Sequence, residues 1–441
     1  MARPDRDALA LLIVRLDSSR PTESSFCWHP WDESVGAHPH GLSEDALYNP
    51  MTVAPFKRYP GDDDWPYFNA HVGQLLFPPG NKRGARWVCC PDDLHLDLRK
   101  GSGPPRRARV ELLERLTSPL EPGCTFGLVH LSLQPAEDPE APDSLWWGWA
   151  IRSTLRRSKD GSSPAVLRHG RDVVELDDKR PVRALVTELF GDPHRYLEQS
   201  LYTVLMAQFS PIDDHPADEG AWRRALAKRR GTAKASAWDE DDQAKEEVQT
   251  IRLAGATGLI LGNCTAFTMT ENVNGGYARN LRSYWAESIV FGLLQQECLE
   301  DFQGRLAEVG DPLKPEIEDL HRDWLSFRNL IWWSQLSTST DVPQEIVSRL
   351  RNELGTERLF NELEEDLATY SAQQHRVVED KQAAALANLQ VYGSGIVVLS
   401  TLATIFGLFE SSSLARMFQV LFAAIVAIAV LLYVRQQLDH S

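Results

Sequence analysis

Residues 391–409 read VYGSGIVVLSTLATIFGLF, 19 positions without a charge, and residues 417–434 read MFQVLFAAIVAIAVLLYV, 18 more. At 1.5 Å per residue such helices extend about 27 to 29 Å, close to the roughly 30 Å hydrocarbon thickness of a bilayer. A hairpin buried in a soluble core is the alternative reading. Against it, residues 423–434 are apolar on every face, which helices of soluble proteins seldom are. Two membrane spans are therefore expected.

The link 410–416 is too short for a domain, so both outer ends of the hairpin belong on one side of the membrane. The first 19 residues, MARPDRDALALLIVRLDSS, place acidic residues on both sides of a short apolar run and offer no small-residue cleavage site. A secretory signal is therefore not expected there. Lys381 before the first span and Arg435 after the second agree with a cytosolic body, and Arg416 in the link weakly opposes it. The expectation is a multi-pass protein of the plasma (inner) membrane with both termini cytosolic.

Composition supports this division. The chain of 441 residues carries 62 acidic and 46 basic side chains, a formal net charge of -16. The last 51 residues hold only Glu410, Arg416, Arg435 and Asp439, whose charges cancel, so the whole acidic excess belongs to residues 1–390. An acidic body argues against nucleic acid as a partner. Cys27, Cys89, Cys90, Cys124, Cys264 and Cys298 show neither a C-x-x-C pair nor zinc-ligand spacing. Adjacent Cys89 and Cys90 read as two packed thiols on a strand.

The fold class expected is α+β: an N-terminal mixed α/β cytosolic domain, a long helical stalk and a C-terminal two-helix transmembrane hairpin. Residues 1–210 form the α/β domain. Within it, residues 8–16 (ALALLIVRL) and 124–133 (CTFGLVHLSL) read as buried strands, and 107–116 and 182–190 carry helical spacing. Residues 211–250 form a charged linker, with opposed acidic and basic blocks and little apolar content. Residues 251–390 begin with a strand pair, 257–261 and 264–270, around the hairpin signal Gly262-Asn263. Helices follow. Trp285, Ile289, Gly292, Leu293, Leu299, Phe302 and Leu306 make one apolar stripe, and Ile317, Leu320, Trp324, Phe327 and Ile331 make a second seam. Pro343 opens another helix, and residues 357–392 continue without Gly or Pro into the first span. Residues 391–441 are the hairpin and a short cytosolic tail.

Steps of three and four along the last helix gather Gln373, Arg376, Asp380, Ala383, Ala387, Gln390, Ser394, Val397, Thr401, Thr404 and Leu408 on one face. Hydroxyls avoid lipid, so this face should meet protein or water. Close helix packing is one reading, aided by Gly393 and Gly395. A pore is the other. Two spans cannot enclose one, so several copies would each contribute a first span. Gln390, Ser394, Val397, Thr401, Thr404 and Leu408 would then line it, with Val397 and Leu408 as apolar constrictions and the two threonines as rings of weak oxygen ligands.

This architecture resembles the CorA family of divalent-cation transporters, most strongly over residues 255–441, where LILGNCTAFTMTEN is similar to the strand pair before that family's long helices. The resemblance implies a funnel-shaped homopentamer whose first span lines the pore and whose cargo is a divalent cation such as magnesium. It implies no resident cofactor. The family's signature is Tyr-Gly-Met-Asn, often followed by Phe-Glu; here the stretch is Phe406-Gly407-Leu408-Phe409-Glu410. Gly407 and Glu410 match at the pore mouth, Phe406 stands for the tyrosine, Leu408 for the methionine, and no asparagine occurs.

Two functions follow as expectations. One is a cation-conducting pore gated by the cytosolic domain, with Glu410 as a carboxylate ring at the mouth. The other is a membrane effector for stress or anti-phage defence, in which the body senses a small cytosolic ligand and the spans depolarise the membrane. An enzyme is not expected. His38-Pro39-His40, Asp62-Asp63-Asp64 and Asp92-Asp93 with His95 read as solvated loops, Trp146-Trp147-Gly148-Trp149 reads as an aromatic packing cluster, and no nucleophile-elbow, Walker or zinc-protease motif is present.

Overall fold

Nine consecutive residues, ALALLIVRL, form strand β1 (Ala8–Leu16) at the middle of a large sheet, because both of its faces are apolar and both of its edges are paired. The computed structural model describes chiefly residues 8–16, 85–98, 105–117, 125–133, 165–176, 181–191, 201–208, 250–253, 256–262, 264–269, 285–310, 316–332 and 341–407, with isolated positions elsewhere. The chain forms two compact units, Met1–Gly310 with Glu318–Glu365, and Asp311–Ile317 with Asp366–Ser441.

In the first unit, β1 pairs antiparallel with β6 (Thr125–Leu133) on one edge and with β9 (Tyr202–Gln208) on the other. Beyond β6 come β5 (Arg106–Thr117), β4 (Leu94–Leu98), β7 (Val166–His169) and β8 (Asp172–Glu175). The short β2 (His29–Pro30) pairs with β3 (Ala85–Cys89), which joins the far half of β5. On the other side β9 runs parallel to β12 (Cys264–Met269), followed by β11 (Ala256–Leu261) and β10 (Thr250–Leu253). The expected hairpin around Gly262 is present, with Leu261 opposite Cys264. It continues the same sheet as the N-terminal strands, so one sheet takes strands from both 1–210 and 251–390.

The helical reading of residues 107–116 is corrected: they lie in β5. Before Glu111, Arg107 and Arg109 are exposed while Ala108 and Val110 are buried. Glu111 is then an unpaired bulge, since Val110 faces Leu131 and Leu112 faces His130. A bulge shifts the phase of alternation. Two strand periods out of phase place Ala108, Leu112, Leu113 and Leu116 at steps that mimic a helix.

Helix α1 (Pro181–Phe190) forms where helical spacing predicts one, and buries Val182, Leu185, Val186, Leu189 and Phe190 against Leu12, Val14, Leu96, Val129 and Leu131 of the sheet. Gly127 permits this approach, since a β-carbon there would lie 2.8 Å from the Phe190 ring. The opposite face carries α2 (Ala286–Val309): Trp285, just before it, stacks on Phe267 with ring centroids 4.9 Å apart, and Glu297 pairs with Arg15 of β1.

Both apolar seams are buried as their spacing predicts, Trp285 to Leu306 on α2 and Ile317 to Ile331 along α3 (Glu316–Phe327) and the π-helical turn Arg328–Trp332. Pro343 sits in the first turn of α4 (Val342–Leu354). The carbonyls at the π-turn are satisfied by side chains: Gln295 Nε2 donates to Ile331 O at 2.9 Å, and Arg351 Nη2 donates to Trp332 O at 2.8 Å. Arg351 also lies 4.1 Å from the Trp332 ring centroid, and burial, partly offset by Glu357, pulls its guanidinium down to about 10.

Helix α5 (Thr356–Gly407) runs 52 residues, as the absence of Gly and Pro from residues 357–392 predicts. Phe360, Leu363 and Leu367 are buried; Phe360 stacks on Trp332 at 4.2 Å and 2°. In the second unit the helix is mostly exposed. Among the described residues no helix is long and apolar enough to cross a membrane. Residues 408–416 and most of 417–441 lie outside the described set.

Candidate functional site

The expected pore face falls on α5. Gln390, Ser394, Val397, Thr401 and Thr404 belong to one continuous helix and share its face by their spacing, over about 21 Å of rise. Gly407 is the last helical residue; Leu408 and Glu410 lie outside the described residues. The hydroxyls on this helix donate to its own backbone. Ser394 Oγ donates to Val391 O at 2.9 Å, Thr401 Oγ1 to Val397 O at 2.8 Å and Thr404 Oγ1 to Ser400 O at 2.8 Å. Ser400, off the stripe, does the same to Val397 O at 2.8 Å. Such back-bonding satisfies the donor without a partner helix and leaves the oxygen lone pairs outward. Around these hydroxyls Val391, Ile396, Val397 and Val398 are between 58 and 67 % exposed.

A second constellation is buried in the first unit. Arg86 on β3 donates through Nε to Glu114 Oε2 on β5 at 2.8 Å, and through Nη1 to Glu287 Oε2 on α2 and to Leu76 O, each at 3.1 Å. His130 on β6 brings Nε2 within 3.1 Å of Glu114 Oε1. Burial raises the Glu114 carboxyl, but Arg86 and then His130 more than offset this and hold it at about 2. Burial pushes Glu287 the other way, above the usual carboxylate range, against the pull of Arg86. One guanidinium thus ties β3 and β5 to the first turn of α2, and Glu114 carries the link on to His130 of β6. Removing one member of such a buried network leaves an uncompensated charge, at a cost of about 3–5 kcal/mol. Nothing local in the sequence signals it, because Arg86 is 28 residues from Glu114 and 201 from Glu287.

Of the loop clusters singled out in the sequence, Asp92 and Asp93 are exposed at the turn into β4, where Asp93 has φ 52°. His95 Nε2 is 3.0 Å from Asp93 Oδ1. Two residues on, Asp97 accepts from Arg107 Nε at Oδ1, 3.0 Å away, and from Arg168 Nε at Oδ2. His38, His40, Asp62-Asp63-Asp64, Trp146-Trp147-Gly148-Trp149 and the charged linker lie outside the described residues. Cys89 is a buried free thiol on β3, and Cys90, just past it, has its thiol pushed up to about 12, by burial first and then by Glu114, Asp92 and Glu111. A thiol held that high stays protonated at neutral pH, so Cys90 is not poised as a thiolate nucleophile. Among the described residues no group of three or more His, Cys, Asp or Glu side chains is placed to hold a metal ion.

No protein-family model, curated protein or solved structure matches this chain.

Proposed function

We propose that this chain is a CorA-like oligomeric membrane protein whose first transmembrane helix lines a cation-conducting pore gated by the cytosolic body. The observation that carries the reading is the course of α5. It begins buried at Phe360, Leu363 and Leu367 and continues unbroken into an uncharged stretch with exposed valines and isoleucine. Apolar side chains in that number are stable against lipid tails or copies of the same helix. Back-bonded hydroxyls lower the cost of placing Ser394, Thr401 and Thr404 there and present oxygens to an ion. With two spans per chain, five copies are the assembly that the family resemblance implies, and magnesium is its divalent cargo.

Reconstitution of the purified oligomer in liposomes tests this. Cations should flow down their gradient, and Thr401→Trp with Thr404→Trp should reduce the rate at least about tenfold by filling the constriction. Flux that is absent, or indifferent to the two tryptophans, overturns the reading.

A second reading is the ligand-activated effector, located in the same membrane and conducting only after a small cytosolic ligand binds. The asparagine missing from Phe406-Gly407-Leu408-Phe409-Glu410 favours it, since a depolarising pore has no need of an amide to hold hydrated magnesium. So does the size of residues 1–390. Gating separates the two: constitutive flux supports transport, and flux that requires cytosolic extract supports the effector.

A further inference from the structure

Three arginines in this acidic chain share one patch of sheet. On β4, Leu94, Leu96 and Leu98 are fully buried, so His95 and Asp97 between them face the other way. The register places Arg109 of β5 directly opposite His95, Arg168 of β7 opposite His95 on its other side, and Arg107 of β5 opposite Asp97. Residues opposite one another across a ladder share a face. Arg107, Arg109, Arg168, His95 and Asp97 therefore make one cluster on three adjacent strands.

Asp97 is the one carboxylate in that group, and its side chain is only 6 % exposed while Arg107 and Arg168 are 48 % and 39 % exposed. It takes a single Nε–H from each arginine, one on each oxygen. An arginine serving only to neutralise Asp97 would turn its two-donor fork to both oxygens. Here each guanidinium is anchored at its Nε and keeps both Nη groups. Among the described residues the side chains of Arg107 and Arg168 make no hydrogen bond beyond Asp97, and that of Arg109 makes none. Asp93, 3.0 Å from His95, and Glu175 of β8, opposite Val166 on the same face, balance part of the arginines' charge, so what the patch offers an anion is its outward guanidinium donors rather than a net positive field. Strands lie about 4.8 Å apart, so Arg109 and Arg168 flank β4 at roughly 10 Å, which their side chains can close onto one ligand.

We propose that this face of β5, β4 and β7 is a binding site for a phosphate-type oxyanion. Arg107 and Arg168, held in place by Asp97, present outward Nη pairs, and Arg109 supplies the third charge. Planar guanidinium forks match phosphate oxygens in pairs, which lysines in the same positions would not. The phosphate belongs either to a free cytosolic anion or to a lipid headgroup. Binding here requires neither a pore nor ion flux, so the site goes beyond the proposed function and stands or falls separately from it.

The test is titration calorimetry of the full chain in neutral detergent with two probes, inorganic pyrophosphate and dihexanoyl phosphatidic acid. Saturable binding of pyrophosphate at millimolar concentration or below supports the site with a free anion as ligand. Saturation by the lipid alone supports it with a headgroup as ligand. In either case Arg109→Gln, which removes a side chain with no partner among the described residues, should weaken binding about tenfold, and Arg168→Lys, which keeps the charge and loses the fork, should weaken it comparably. Raising the salt should weaken binding further. Circular dichroism of each variant should match the parent, which separates a lost contact from a lost fold. Binding of neither probe, or binding that both substitutions leave intact, overturns the proposal, whatever the liposome assay shows.

Discussion

Glu297 is a half-buried carboxylate whose partner does not fully compensate it. It lies on α2 and pairs with Arg15 of β1, yet burial pushes it up to about 7, with Arg15 opposing and Glu300 reinforcing. A folded-state pKa above the ordinary 4.5 means that the native chain holds a proton that the unfolded chain has released. Its contribution to stability is complete below pH 4.5 and is lost as pH rises to about 7. The urea midpoint, followed by tryptophan fluorescence, should therefore decline over that interval, and Glu297→Gln should flatten the decline. A slope unchanged by the substitution would assign the proton elsewhere. Glu114 has the opposite sign and a separate window. Held at about 2, it adds stability above pH 4.5 that is lost on acidification towards 2. Neither residue was legible in the sequence, where Glu114 sits in the arginine-rich run RRARVELLERLT and Glu297 in an ordinary helical run. Their perturbation comes from sheet register and helix placement, which bring Arg15, Arg86 and His130 to them.

Helices α2 and α4 meet at Gly292, where a β-carbon would lie 2.7 Å from Leu350 Cδ2. The close approach relies on a missing side chain. Gly292→Val should destabilise the fold by about 1–3 kcal/mol through overpacking, read as a lower urea midpoint at unchanged slope. Gly304, on the same helix with nothing within 4 Å of its would-be β-carbon, is the control: Gly304→Ala should stabilise by about 0.5–1 kcal/mol. The apolar stripe through Gly292 was legible in the sequence because a helix's period is local. So were β1, β6, the β11–β12 hairpin and α1. β5 was not, because one bulged residue, Glu111, broke the two-residue period on which recognition of a strand depends.

For the whole molecule, the proposed pore requires several copies of a chain of 49.6 kDa. Native mass spectrometry of the detergent-solubilised protein should return five times that mass, within the error of bound lipid. A monomer would remove the pore, since two spans enclose nothing. The sequence by itself determined the separation of an acidic body from a net-neutral, apolar end, the two helical seams and the long unbroken helix. Composition, 3.6-residue periodicity and the lack of helix breakers are all properties of neighbouring residues. Only the tertiary structure decided that strands from both sides of the charged linker share one twelve-stranded sheet. It also decided that Arg86 gathers Glu114 and Glu287, and that Arg107 and Arg168 converge on Asp97. Those partners are 10 to 201 residues apart, and their meeting depends on strand order and register, which no local pattern encodes.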